Sequence, residues 1–109
     1  MVLITNIPSQ LIRQYGPTNA ATAIGATGSY DGQTYFQIGG NTQGYRRNIW
    51  VWNGGGSAWD CMPMAPIQGT GNPNGAVTPD CEGQLFFDTA TGNLYLSTGI
   101  TNNDWSLTN

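Results

Sequence analysis

The stretch Gly83 to Trp105, GQLFFDTATGNLYLSTGITNNDW, leaves the backbone few options. Leu85, Phe86 and Phe87 form a short apolar run with aromatic bulk, which favours a pleated strand over a helix. Asp88 to Asn93 is a cluster of turn formers in which Gly92 takes a positive φ without a Cβ clash. Leu94, Tyr95 and Leu96 resume the strand pattern, and Trp105 closes the unit. Two strands about a Gly-containing turn predict a β-hairpin.

The same unit occurs once before. Gly32–Gln37 (GQTYFQ) matches Gly83–Asp88 (GQLFFD) at an offset of 51 residues, and Asn48–Val51 matches Asn93–Leu96 at 45. Trp59 matches Trp105 at 46, and Gly25–Ala26 matches Gly75–Ala76 at 50. The offset falls by six across the hairpin, which predicts a longer turn from Ile38 to Arg47 in the first copy, where insertions are tolerated. An internal duplication accounts for this ordered set of aromatic and Gly matches. The expected fold is therefore mainly β: two tandem β-hairpin modules forming a small β-sandwich or barrel-like unit, with an N-terminal extended arm. The expected boundaries are an arm over 1–24, a first module over 25–61, a linker over 62–74 and a second module over 75–109.

The arm shows no clean period. Val2-Leu3-Ile4 suits an edge strand, Ser9 suits a cap for one turn through Arg13, and Gly16-Pro17 stops that turn. The small polar residues from Thr18 to Ala26 predict an extended surface crossing. The segment serves either as an arm ordered by another surface or as a first strand of the same domain. Between the modules, Met62 to Asn74 holds three prolines and no charge, which predicts an extended or polyproline connection.

Composition narrows the function. Only 8% of the residues are charged, and the net charge is −3 with three Arg and no Lys. Nucleic acid and anionic membranes are poor partners for such a chain, because neutralising phosphate needs clustered cations. No apolar run has transmembrane length, and the first five residues lack the charged region of a signal peptide, so a soluble product made in a cytoplasm is expected. Four Trp, five Tyr and three Phe provide most of the buriable area. That is a thin apolar supply for a lone domain, which makes burial between subunits attractive. Cys61 and Cys81 are the only cysteines. In a reducing cytosol they are expected as partly buried thiols; a bridge formed after release into an oxidising medium is the alternative.

Catalytic chemistry finds few candidates. With no His there is no ordinary triad and no four-ligand zinc site within the chain; with no Lys there is no Schiff base and no phosphate-loop lysine. Gly54-Gly55-Gly56 is expected as a flexible tip. Asp80 and Glu82 superficially offer the carboxylate pair of a glycosidase. Pro79 favours a turn there, and Asp31 and Glu82 occupy matching places before Gly32 and Gly83, which marks them as turn residues. No catalytic, cofactor or metal residue is expected. The aromatic residues Trp50, Trp52, Trp59, Tyr95 and Trp105 remain as candidates for an interface or a glycan-stacking platform. Trp50 and Trp52 share one strand face. Packing between hairpins or subunits is the more economical role for them. Arg46-Arg47 is expected as a solvated loop doublet.

Both copies resemble a hairpin module that recurs in tailed-phage virion proteins, with the loose pattern G-x-x-(Y/F)-x-D-(T)-x-(T)-G-x-(L/V)-Y-x-(W), then N/D-G and a closing Trp. Gly83, Phe86, Asp88, Thr89, Thr91, Gly92, Leu94, Tyr95 and Trp105 carry it in the second copy. Trp50-Val51-Trp52-Asn53-Gly54 and Trp59 carry its tail in the first, where Gln37 replaces the Asp. The resemblance covers roughly residues 25–61 and 75–109. It implies a virion component without enzymatic activity or cofactor, homo-oligomeric and often trimeric. The chain's small size favours a capsid decoration (cement) or head-fibre protein on the outer capsid surface, bound to the major capsid protein or another virion protein. Val2, Leu3, Ile4, Leu11 and Ile12 are the candidate capsid-binding residues of the arm. A tail fibre or appendage, or a module recognising a host surface glycan, is the alternative.

Overall fold

The hairpin expected at 83–105 and its earlier copy are each the centre of a four-stranded sheet. In the computed structural model, which describes residues 15–41 and 43–108, the strands are β1 (Tyr15–Gly16), β2 (Thr34–Asn41), β3 (Gly44–Asn53), β4 (Ala58–Pro63), β5 (Ile67–Gly69), β6 (Leu85–Asp88), β7 (Leu94–Ser97) and β8 (Trp105–Leu107). The first sheet has the order β1-β2-β3-β4 and the second the order β5-β6-β7-β8. In each, the first strand pairs parallel and the other two junctions are antiparallel. The chain is thus mainly β.

The duplication reaches into single hydrogen bonds. Gln33 and Gln84 are both fully buried. Each turns its Oε1 back to accept a backbone N–H four residues earlier, from Ser29 at 2.6 Å and from Asp80 at 2.7 Å. The closing indoles repeat as well: Trp59 Nε1 donates to the Gly25 carbonyl at 2.9 Å and Trp105 Nε1 to the Val77 carbonyl at 2.8 Å. These acceptors lie 52 residues apart, so the correspondence runs two residues beyond the expected match of Gly25 with Gly75.

Several sequence expectations need correction. The connection at 62–74 is no linker: Met62 and Pro63 end β4, and Ile67, fully buried, lies in β5 as the outer strand of the second sheet. Similarly, Thr18 to Ala26 is not an extended crossing. Asn19 caps a single helical turn, α1 (Ala20–Ala23), by accepting from Thr22 N, and Ala20 sits in the first core. The expected arm residues 15 and 16 form β1, while Val2, Leu3, Ile4, Leu11 and Ile12 lie outside the described residues. Finally, the six extra residues of the first hairpin do not enlarge a turn. They extend the ladder through Ile38↔Arg47, Gly39↔Arg46, Gly40↔Tyr45 and Asn41↔Gly44.

Each sheet buries one face under its own crossover segment. Residues 17–33 and part of 78–82 cover the first, giving a core of Ala20, Tyr35, Trp50 and Cys81 with Ile24, Trp59 and Cys61 against it. Residues 70–77 cover the second, whose core is Ile67, Val77, Phe86, Tyr95 and Trp105. Phe86 meets Tyr95 and Trp105 ring to ring at 6.4 and 5.9 Å between centroids. Glycines at equivalent places let the short first strands approach: a Cβ on Gly16 would strike the Tyr35 hydroxyl, and one on Gly69 would lie 2.9 Å from Phe86 Cζ. Gly69→Ala is expected to destabilise the chain by about 1–3 kcal/mol through overpacking. Gly55→Ala, whose methyl group would meet only Asn53 Oδ1 at 3.5 Å, should leave the urea midpoint almost unchanged.

Cys61 and Cys81 form a disulfide, with Cα atoms 6.1 Å apart. The expected thiols are corrected by topology. Cys61 pairs across the ladder with Trp50 and so points to the buried face, where the segment leading to β6 delivers Cys81.

Candidate functional site

The extended tip of the first hairpin becomes the junction between the sheets. Gly44 lies against Ile67 so closely that a Cβ there would stand 2.5 Å from Ile67 Cγ2. Two residues on, Arg46 points inward and is 2% exposed. Its Nη1 donates to Asp80 Oδ2 at 2.7 Å and to the Thr78 carbonyl at 2.9 Å. The doublet expected on a solvated loop is therefore split by the pleat: Arg46 is buried, whereas Arg47 faces outward over the ring of Tyr45, 4.5 Å from its centroid.

Buried amides continue the junction. Asn48 Nδ2 donates to Gln37 Oε1 at 2.9 Å and to Asp80 Oδ2 at 3.1 Å. Gln37 Oε1 also accepts from Trp50 Nε1, and Gln84 Nε2 reaches across to Asn48 Oδ1 at 3.2 Å. The first sheet and the second thus share one polar network, closed on its flank by the disulfide. Buried amides and charges hold only where their partners are present, so the network sets the relative placement of the two sheets.

Open hollows flank the junction. One of about 470 Å³ is lined by Asn19, Gln43, Arg46, Thr78, Asp80 and Ile100; another, of about 650 Å³, by Trp50, Trp59, Asp60, Asp80, Glu82 and Ile100. Asp80 Oδ2 is taken up by Arg46 and Asn48, so Asp80 and Glu82 are not two free carboxylates across a bond. Asp31 and Asp88 serve turns. Asp31 Oδ1 accepts from Gly54 N at 2.9 Å, tying the Gly54-Gly55-Gly56 tip to the turn before β2. The N–H of Gly71, then the Thr91 hydroxyl and the N–H of Ala90, hold the Asp88 carboxyl below the usual aspartate range. The N–H and hydroxyl of Thr101 do the same for Asp104. Among the described residues, no cluster of three or more His, Cys, Asp or Glu is arranged to hold a metal.

The aromatic candidates fall into two groups, Trp50, Trp52 and Trp59 in the first module and Tyr95 and Trp105 in the second. Trp50 and Trp52 share the buried face of β3, as the pleat requires, but are only 7% and 6% exposed. Trp52 packs edge-on against Trp59 at 5.5 Å, while Tyr95 and Trp105 belong to the second core. No flat indole face of Trp50 or Trp52 is left for a sugar. Of the two expected roles, packing between hairpins or between subunits, the rings take up contacts within this chain: beneath the crossover segments, with Cys81 also against the first core.

The apolar surface that does face outward lies on the other side of the pleat. In the first sheet one ladder row runs Tyr15, Phe36, Ile49, Met62, and the next holds Ile38 and Arg47, with Met64 just past β4. Tyr15, Phe36, Ile38, Tyr45, Met62 and Met64 are 39–73% exposed. The second sheet presents Leu85, Phe87, Leu94 and Leu96 on its corresponding face, half-buried to exposed. Pro63, Met64, Ala65, Pro66 and Leu85 line a small hollow between these two surfaces. Sequence reasoning fixed on the Trp side of β3 and passed over this one, although Ile49 and Val51 alternate with the two tryptophans. Comparison with protein-family models, curated proteins and solved structures gives no match for this chain.

Proposed function

We propose that the chain is a non-enzymatic structural protein of a tailed-phage virion, a decoration or head-fibre protein that stabilises the capsid shell from outside. The observation that carries this reading is an apolar outer surface on a body whose cores are already closed. Larger outward apolar patches mark protein contacts. The hairpin pattern in both copies supplies the virion context. A shell-binding surface needs rigidity more than chemistry, and the polar junction with its disulfide provides that.

Cementing follows from area. The outer face of the second sheet, with the N-terminal residues, would cover the seam between neighbouring capsid subunits. A standard interface buries about 800 Å² per partner, and at ~25 cal/mol per Å² of apolar surface the gross stabilisation is many kcal/mol per copy before binding costs are deducted. Repetition over the shell then opposes the pressure of packaged DNA.

Purified chain added to capsids stripped of their decoration should bind and raise the temperature at which they rupture. Leu96→Asp and removal of residues 1–14 should each lower occupancy at least tenfold, read by gradient sedimentation of loaded particles. Failure of the unaltered chain to bind any capsid preparation, or its localisation to the tail in an electron-microscopy map, would overturn the reading. In the glycan-recognition alternative, Trp50 and Trp52 have no ring face to offer, which is why it is not preferred.

A further inference from the structure

We infer that the outer face of the first sheet is a self-association surface on which a second copy of this chain packs about a two-fold axis. The inference rests on the geometry of this face and stands whether or not the virion reading holds.

Area comes first. The exposed fractions of Tyr15, Phe36, Ile38, Tyr45, Met62 and Met64, applied to large side chains of ~150–250 Å² each, amount to roughly 600 Å². That approaches the ~800 Å² per partner of a standard interface, and Ile49 and Val51 between these residues add to it. It also lies at the upper edge of what a typical monomer leaves in one patch, about 300–600 Å².

Charge then selects the partner. Along this face Arg47 lies on one side of the Tyr15–Phe36–Ile49–Met62 row and Asp60, paired across the ladder with Val51, lies on the other. A two-fold axis laid along that row turns each copy end for end along its strands. The row of Arg47 then lies over the partner's row of Val51 and Asp60. Each guanidinium thus meets an opposite charge one strand away, twice per dimer, and no like charges are brought together. Isologous contacts require this kind of self-complementarity. Arg47, already seated on the Tyr45 ring, covers the rim. The Tyr and Met side chains are adaptable, low-charge material of the kind enriched at interface centres.

The test uses the full chain in sedimentation velocity over a concentration series. The expected result is a reversible dimer. Phe36→Lys with Met62→Lys should abolish it, while the thermal midpoint extrapolated to low concentration stays put because both positions are exposed. Arg47→Asp alone and Asp60→Arg alone should each weaken dimerisation about tenfold, and the two together should restore it. Four results would overturn the inference: a monomer at every concentration, a dimer indifferent to the lysine pair, a trimer, or failure of the charge exchange to rescue. A monomeric chain whose capsid binding is lost with Phe36→Lys would assign this face to the shell instead.

Discussion

Asp80→Ala is expected to destabilise the protein by about 3–5 kcal/mol, the cost of leaving a buried guanidinium without its counter-charge. Arg46 is 2% exposed and Asp80 15%, so neither is a surface ion for which solvent would make up the loss. The substitution also removes one of the two acceptors of the Asn48 amide. Urea denaturation followed by tryptophan fluorescence reads the change, because Trp50 donates into the same network through Gln37.

Two comparisons separate this explanation from a general effect of losing a carboxylate. Glu82→Ala, two residues along and exposed, should fall within about 0.5 kcal/mol of the unaltered chain. Arg46→Met combined with Asp80→Ala should recover much of the loss, since a buried pair exchanged for apolar groups of similar volume is often neutral. If Asp80→Ala is as mild as Glu82→Ala, the junction does not hold the sheets together.

The duplicated hairpins were legible because their signals are local. Leu85–Phe87, the turn through Gly92 and Leu94–Leu96 fall within 12 consecutive residues, and the alternation at Trp50 and Trp52 fixed their shared face. What escaped depends on pairing between distant segments. Tyr15–Gly16 and Ile67–Gly69 are too short to show a period, and each becomes a strand only because β2 or β6 offers a parallel edge. Prolines around Ile67 argued for a linker, yet Pro63 sits at the end of β4, where it pairs with Asn48, and Ile67 to Gly69 pair beyond it as β5. Arg46 looked like a loop residue because the offset of six was assigned to a turn; lengthening the ladder instead turned it inward. Burial of the rings within the chain was hard to foresee because crossover segments rich in Gly, Thr and Asn show little apolar signal. They cover the rings through close backbone approach, as where Gly28 lies beneath Trp52.

Opening the Cys61–Cys81 bridge should cost about 3 kcal/mol on a chain-entropy basis, for a separation of 20 residues. The loop it closes contains β5 and the whole of 70–80, the segment that lays Val77 into the second core and Asp80 against Arg46. Without the bridge, that segment is held to the first sheet chiefly by the polar junction, so the two devices act on one element. Cys61→Ser with Cys81→Ser should match the chain treated with reductant, and adding Asp80→Ala should cost more than the sum of the separate effects, because coupled sites are not additive. Equal urea midpoints for the oxidised and reduced chain would show that the bridge closes nothing the fold does not already hold. An unequal result would make rigidity depend on redox state: in a reducing compartment the chain would lack part of the rigidity that it has in an oxidising medium.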